Sequence, residues 1–171
     1  QIEAMYRGIR KEKSWVRFGI SPFGIGRPDR RPPGIIGFSQ YDKLYADAEL
    51  WLQEGWLDYF VPQLYWPIDR TAQAFEVLLD TWLGLTPRSI GLWPGLFTSR
   101  INDKADSWPV AEIEAQIADV RSRYPGSGHL HFSMVALSQN RRGLADARAV
   151  ISAASRAAAR RILRMQVPWW C

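Results

Sequence analysis

Four short apolar runs, at residues 16–20, 57–64, 89–93 and 129–133, alternate along the chain with stretches whose apolar residues recur at helical spacing. A parallel strand covered on both faces reads as a nearly unbroken apolar run, and LDYFVPQL at 57–64 has that character. Strict alternation of strand and helix leaves a parallel sheet flanked by helices as the simplest fold. The expected class is therefore α/β, with about four βα units. A complete eight-stranded barrel takes about 250 residues. At 171 residues the chain has room for half of one, so the expectation is a partial (β/α)8 TIM barrel.

The punctuation supports this division. Residues 2–13 read as a helix leading into the first run, which Ser21-Pro22 ends. Residues 24–44 are rich in Gly, Pro and Arg without periodicity, and so long an aperiodic loop in a compact domain is usually functional or disordered. A helix is expected at 44–54, with Leu44, Ala48, Trp51 and Leu52 on one face. Another is expected at 71–83, with Phe75, Leu78, Leu79 and Trp82 inward and Gly84 as its C-cap. A third follows Ser107, with Pro109 in its first turn and Ile113, Ile117 and Val120 at core spacing up to Tyr124.

Composition narrows the function. The formal net charge of +5 suggests a polyanion partner until it is divided along the chain. Residues 1–140 carry 15 basic and 16 acidic side chains, whereas 141–171 carry seven Arg and one Asp. The body has no basic face of the kind nucleic-acid binders present. Gly24 and Gly26 hint at a phosphate loop, but the third glycine is missing and no helix follows at once. The one cysteine, Cys171, permits neither an internal disulfide nor a Cys-based metal site. No run reaches the roughly 18 apolar residues of a membrane span. The opening QIEAMYRGIRKEK begins inside an amphipathic pattern without a cap, so a segment upstream is expected. The expected domains are 1–145, the βα body, and 146–171, an Ala/Arg-rich tail. That tail reads either as a surface helix or as sequence not selected with this fold.

In a βα barrel the working residues stand at the carboxyl ends of the strands and in the loops that follow. Here those positions hold Ser21, Phe23 and Arg27; then Gln63, Tyr65, Trp66 and Asp69; then Trp93 and Phe97; and last His131, Phe132 and Ser133. Pyranose rings have apolar faces edged by hydroxyls, so they suit flat aromatic rings beside amide or guanidinium forks. The set is aromatic and amide-rich, which points to a glycan. Glycoside hydrolysis takes two carboxylates about 5 to 10 Å apart. Asp69 is the best-placed carboxylate, and no convincing second one accompanies it. Asp58, at the start of its strand, reads as structural, while Asp47 reads as a cap or an ion-pair partner. His129 and His131 alternate onto one face, but no third ligand is evident, so neither a metal nor a cofactor is expected.

The strings FGISPFGI, YADAELWLQEGWLDYFVPQLYW, IGLWPG and GHLHFS together resemble the glycosyl hydrolase-like 10 family, formerly a domain of unknown function. The resemblance spans about residues 10–145 and implies the C-terminal half of a glycoside hydrolase barrel. It implies bacterial cell-envelope glycans, peptidoglycan strands included, as substrates, and an envelope or secreted location for a parent protein with a signal. It implies substrate-binding roles for Ser21, Phe23, Arg27, Tyr45, Gln63, Tyr65, Trp66, Trp93, His131 and Ser133. The family's paired-aspartate segment, of the form DDYFYP, has no counterpart here, so the catalytic pair is expected outside the chain. Gly26 and Pro28 replace the family's Trp and Asn beside Arg27. The alternative expectation is a non-catalytic glycan-binding or scaffold module.

Overall fold

Three prolines, Pro22, Pro62 and Pro94, set the pattern of the sheet. The computed structural model describes residues 1–147. Its helices are α1 (Ile2–Glu12), α2 (Gln40–Leu44), α3 (Ala48–Gln53), α4 (Phe75–Leu85), α5 (Val110–Arg123) and α6 (Met134–Ser138). Its strands are β1 (Gly19–Ile20), β2 (Tyr59–Phe60), β3 (Gly91–Leu92), β4 (Gly95–Leu96) and β5 (Leu130–His131). Every pairing is parallel: Ile20 lies opposite Phe60, Phe60 opposite Leu92, and Leu96 opposite His131. Bridges from Gln63 to Phe23 and to Gly95 carry the pairing past the prolines. β3 and β4 thus share one path, and the sheet consists of four parallel paths in chain order.

Each proline stands two residues beyond one of the register-matched Ile20, Phe60 and Leu92. Each lacks an N–H, which removes one donor from the ladder and cuts the strands short. Their carbonyls still accept, Pro22 from Gln63 N–H at 3.0 Å, Pro62 from Gly95 N–H at 2.9 Å and Pro94 from Leu130 N–H at 3.0 Å. The runs expected over five to eight residues are therefore two-residue ladders flanked by single bonds.

One face of this sheet carries Phe60, Leu64, Leu92 and Leu96, all fully buried. They pack into one cluster with Leu52 of α3, Phe75, Leu78, Leu79 and Trp82 of α4, and Ile113, Ile117 and Val120 of α5. Burial of each large side chain contributes about 1.5–3 kcal/mol, which accounts for the helical spacing legible in the sequence. At the amino ends of the strands Asp58 accepts from Phe18 N–H at 2.8 Å and pairs with Arg17 at 3.2 Å. This is the structural role expected of it.

Two helix assignments need correction. The helix expected at 44–54 is two: Tyr45 adopts the left-handed conformation at φ 53° and stops α2, and Asp47 starts α3 by accepting from Leu50 N–H at 3.0 Å. Leu44 consequently lies outside the buried face, 64% exposed. Gly84 does not cap α4, which continues to Leu85. Its end is closed by Thr86, whose N–H and hydroxyl both donate to Trp82 O at 3.0 and 2.7 Å. The Ala/Arg-rich tail from residue 148 onward lies outside the described residues. Among the described residues no helix is long and apolar enough to cross a membrane.

Candidate functional site

The loop after β1, aperiodic in sequence, is held in place by buried polar groups from three helices. Gln40 at the start of α2 is 4% exposed; its Oε1 accepts from Phe23 N–H and its Nε2 donates to Phe23 O, both at 3.0 Å. The Trp82 indole of α4 donates to Gly24 O at 2.8 Å. Glu49 of α3, 3% exposed, accepts from Arg27 N–H and pairs with Arg30, both at 3.2 Å. Arg31 donates to the carbonyls of Gly26, Gly37 and Phe38. Buried amides and carboxylates are stable only with such partners, and here the partners are the loop's own backbone. Gly24 is required for the close approach: a Cβ there would overlap the Gln63 carbonyl.

Within this frame Arg27 is the hub. Its guanidinium donates to Asp29 at 3.1 and 3.3 Å and to Asp47 at 3.3 Å, and lies 4.2 Å from the Tyr41 ring centroid. The hydrogen bond to Asp29 raises the Arg27 pKa above its already high ordinary value, and Arg27 in turn draws Asp29 below the usual carboxylate range.

The sheet face turned away from the helices carries a different set. Along the second path Tyr59, Val61, Gln63 and Tyr65 alternate onto it, and along the third Gly91, Trp93, Gly95 and Phe97. Tyr59 stacks on Trp93 with centroids 4.8 Å apart, and glycines make room for them: a Cβ on Gly19 would strike the Tyr59 ring. Tyr65 stacks on Phe97 at 5.0 Å and on Phe132 at 5.5 Å, with Trp108 set edge-on to Phe97. Burial in this stack raises the Tyr65 phenol pKa. Gln63 Nε2 donates to Ser21 O at 3.0 Å, and Ser133 joins Ser99 through Oγ to Oγ at 3.3 Å. His131, opposite Leu96 in the register, stands on the helix-packed side instead, its ring perpendicular to that of His129 with centroids 4.9 Å apart, while Phe132 one residue on joins the open face. Among the described residues no group of three metal-ligating side chains is assembled.

The residues picked from sequence therefore fall into two groups. Gln63, Tyr65 and Trp93 lie on the open face, with Ser21 and Ser133 at its rim, whereas His131, partnered with Leu96, lies on the helix-packed side. Phe23 and Trp66 meet edge to face at 5.4 Å and both pack against the core, so Trp66 points away from its neighbour Tyr65. Arg27 belongs to the loop cluster, Tyr45 projects from it at 92% exposure, and Asp69 is exposed in the turn after β2. Sequence reasoning missed Tyr59, although its even spacing from Gln63 and Tyr65 was available as a signal. It also missed Gln40, Glu49 and the Trp82 indole, whose roles depend on contacts across 17 to 58 residues.

Parallel paths in chain order, helices on one face, and aromatic and amide side chains on the other at the strand ends define a βα-repeat protein with an open, ring-lined face. The family model described as glycosyl hydrolase-like 10 matches residues 1–110. Glycosyl hydrolase YngK of Bacillus subtilis (strain 168) is 35% identical over 153 residues, 85% of this chain and 30% of that protein. Glycosyl hydrolase DigH of Escherichia coli (strain K12) is 30% identical over 119 residues, 67% of this chain and 27% of that protein. The chain belongs to the glycosyl hydrolase-like 10 family. It spans under a third of the length of these curated relatives.

Proposed function

We propose that the chain forms part of a (β/α)8 barrel in a glycoside hydrolase of bacterial cell-envelope glycans, peptidoglycan strands included. It supplies walls of the sugar site, in an envelope or secreted setting. The observation that carries this reading is the alignment of Tyr59, Trp93, Tyr65, Phe97 and Phe132 on the sheet face opposite the helices. That face would line the interior of a closed barrel, and its rings offer stacking surfaces for pyranose faces. Gln63, Ser21 and Ser133 supply hydroxyl partners among these rings.

In this reading the acid and the nucleophile or base come from sequence outside these 171 residues. Around Arg27 the carboxylates of Asp29, Asp47 and Glu49 are engaged with arginines or backbone. The chain alone then binds glycan without cleaving it. A self-contained glycan-binding module is the other reading. It calls for a closed fold, whereas among the described residues β1 and β5 each have no outer neighbour, which favours the barrel part.

The test is titration of the chain with peptidoglycan glycan fragments, alongside an assay for new reducing ends. Trp93→Ala is expected to weaken binding about tenfold, the equivalent of one lost stacking contact, with no cleavage by either protein. Absence of binding would overturn the proposal, and cleavage abolished by Asp69→Asn would move catalysis into this chain.

A further inference from the structure

The turn after β2 is held from the helical layer. On either side of Pro67, which has no N–H, the backbone groups Trp66 O and Ile68 N–H are both bonded by α5. Glu112 Oε1 accepts from Ile68 N–H at 2.8 Å, and Gln116 Nε2 donates to Trp66 O at 3.0 Å. Gln116 Nε2 also donates to Glu112 Oε1 at 2.8 Å, so the two side chains, one helical turn apart, form a single clamp. Gln116 is 0% exposed and Glu112 is half-buried.

The clamp is made at a cost to Gln116. Its Oε1 is buried and has no hydrogen-bond partner among the described residues. Turning the amide over would set that oxygen against two others, Trp66 O and Glu112 Oε1, so the clamp dictates the orientation. An apolar side chain would leave no orphaned oxygen in this position. The amide therefore has a role beyond packing, and the residue next to the clamped carbonyl shows what it is. Tyr65 immediately precedes Trp66 and stands on the open face, stacked on Phe97 at 5.0 Å and on Phe132 at 5.5 Å. Its ring passes so close to Gly95 that a Cβ there would lie 3.3 Å from it. A ring displaced by about 1 Å no longer matches a sugar face held by its neighbours.

We propose that Glu112 and Gln116 are positioning residues of the glycan site, which fix the backbone at Trp66 and Ile68 from the helical side so that Tyr65 presents its ring on the open face. The inference rests on the glycan-binding reading above and adds to it two residues that never meet the sugar.

Binding of peptidoglycan glycan fragments would be measured for the full chain, Gln116→Leu, Tyr65→Ala and the double variant, with circular dichroism verifying each fold. Tyr65→Ala is expected to weaken binding about tenfold, one lost stacking contact. Gln116→Leu should weaken it about three- to tenfold alone, but less than about twofold when Tyr65 is already Ala, the mark of action through that ring. In Gln116→Leu the Tyr65 ionisation, followed by ultraviolet titration, should move back toward the ordinary phenol range as the stack loosens. Glu112→Ala should behave as Gln116→Leu does and replaces it if that variant does not fold. Equal losses in both backgrounds, or an unmoved Tyr65 ionisation, overturn the inference alone. If neither α5 variant folds, the clamp serves the fold and the inference falls. Failure of the unaltered chain to bind overturns the glycan reading, and this inference with it.

Discussion

Replacing Trp82 with Phe tests whether the loop after β1 is anchored to the helical layer through one hydrogen bond. Trp82 is fully buried in α4, its ring 5.0 Å from Phe60, and its indole N–H donates to Gly24 O at 2.8 Å. Phe preserves the aromatic contact but cannot donate. The Gly24 carbonyl, itself in a buried residue, is then left without that donor at a cost of about 1–3 kcal/mol. The smaller ring also leaves unfilled volume, costing about 1 kcal/mol more. The sum is about 2–4 kcal/mol. With a urea dependence of about 2 kcal/mol per molar for a chain of this size, the unfolding midpoint should fall by about 1–2 M. Trp51→Phe is the control, since Trp51 packs at the margin of the same core and anchors no loop carbonyl. Urea titration followed by far-ultraviolet circular dichroism gives both values. A loss below about 1 kcal/mol for Trp82→Phe, or one no larger than the control's, would refute the anchoring argument.

Three further expectations follow from the same contacts. Gly24→Ala should destabilise far more than Gly19→Ala, because the first new Cβ meets the Gln63 backbone while the second meets a Tyr59 ring that can turn aside; equal midpoint shifts would contradict this. Tyr65 should ionise above the ordinary phenol range, about pH 10, because burial disfavours its anion. Since the folded pKa is the raised one, the stability tied to this proton is present below about pH 10 and lost as pH rises through the folded value. Ultraviolet titration of the wild type against Tyr65→Phe checks it. Asp119 is held above the usual carboxylate range, first by burial and then by Glu76. Its contribution is present at acid pH and lost as pH rises through the raised value, so Asp119→Asn should raise the urea midpoint at pH 7 but not below about pH 4.

The βα rhythm and the identity of the core were legible in the sequence because burial leaves a periodic trace. Phe75, Leu78, Leu79 and Trp82 at helical spacing, and the apolar 57–64 run, each report which side of an element meets the core. Gln63, Tyr65 and Trp93 were legible as strand-end residues because each stands at or just beyond the end of an apolar run; that they share a face follows from the pairing of Phe60 with Leu92, which only the folded sheet sets. The split at Tyr45 escaped because a left-handed tyrosine is an uncommon choice whose backbone conformation no composition signals. Trp66 packs on the core side while Tyr65 stands on the open face, because consecutive residues on an extended chain point to opposite sides.

By itself the sequence determined the order of strands and helices, the residues of the core and the rings available at the strand ends. These follow from local pattern and hydrophobicity, which act over a few residues. Only the tertiary structure decided which rings stack, which polar groups order the loop after β1, and where charge accumulates. Gln40 on Phe23, Glu49 on Arg27, Trp82 on Gly24 and Tyr59 on Trp93 join positions 17 to 58 residues apart. Hydrogen bonds and ring contacts depend on distances of a few ångströms, and only the folded chain brings such remote residues that close.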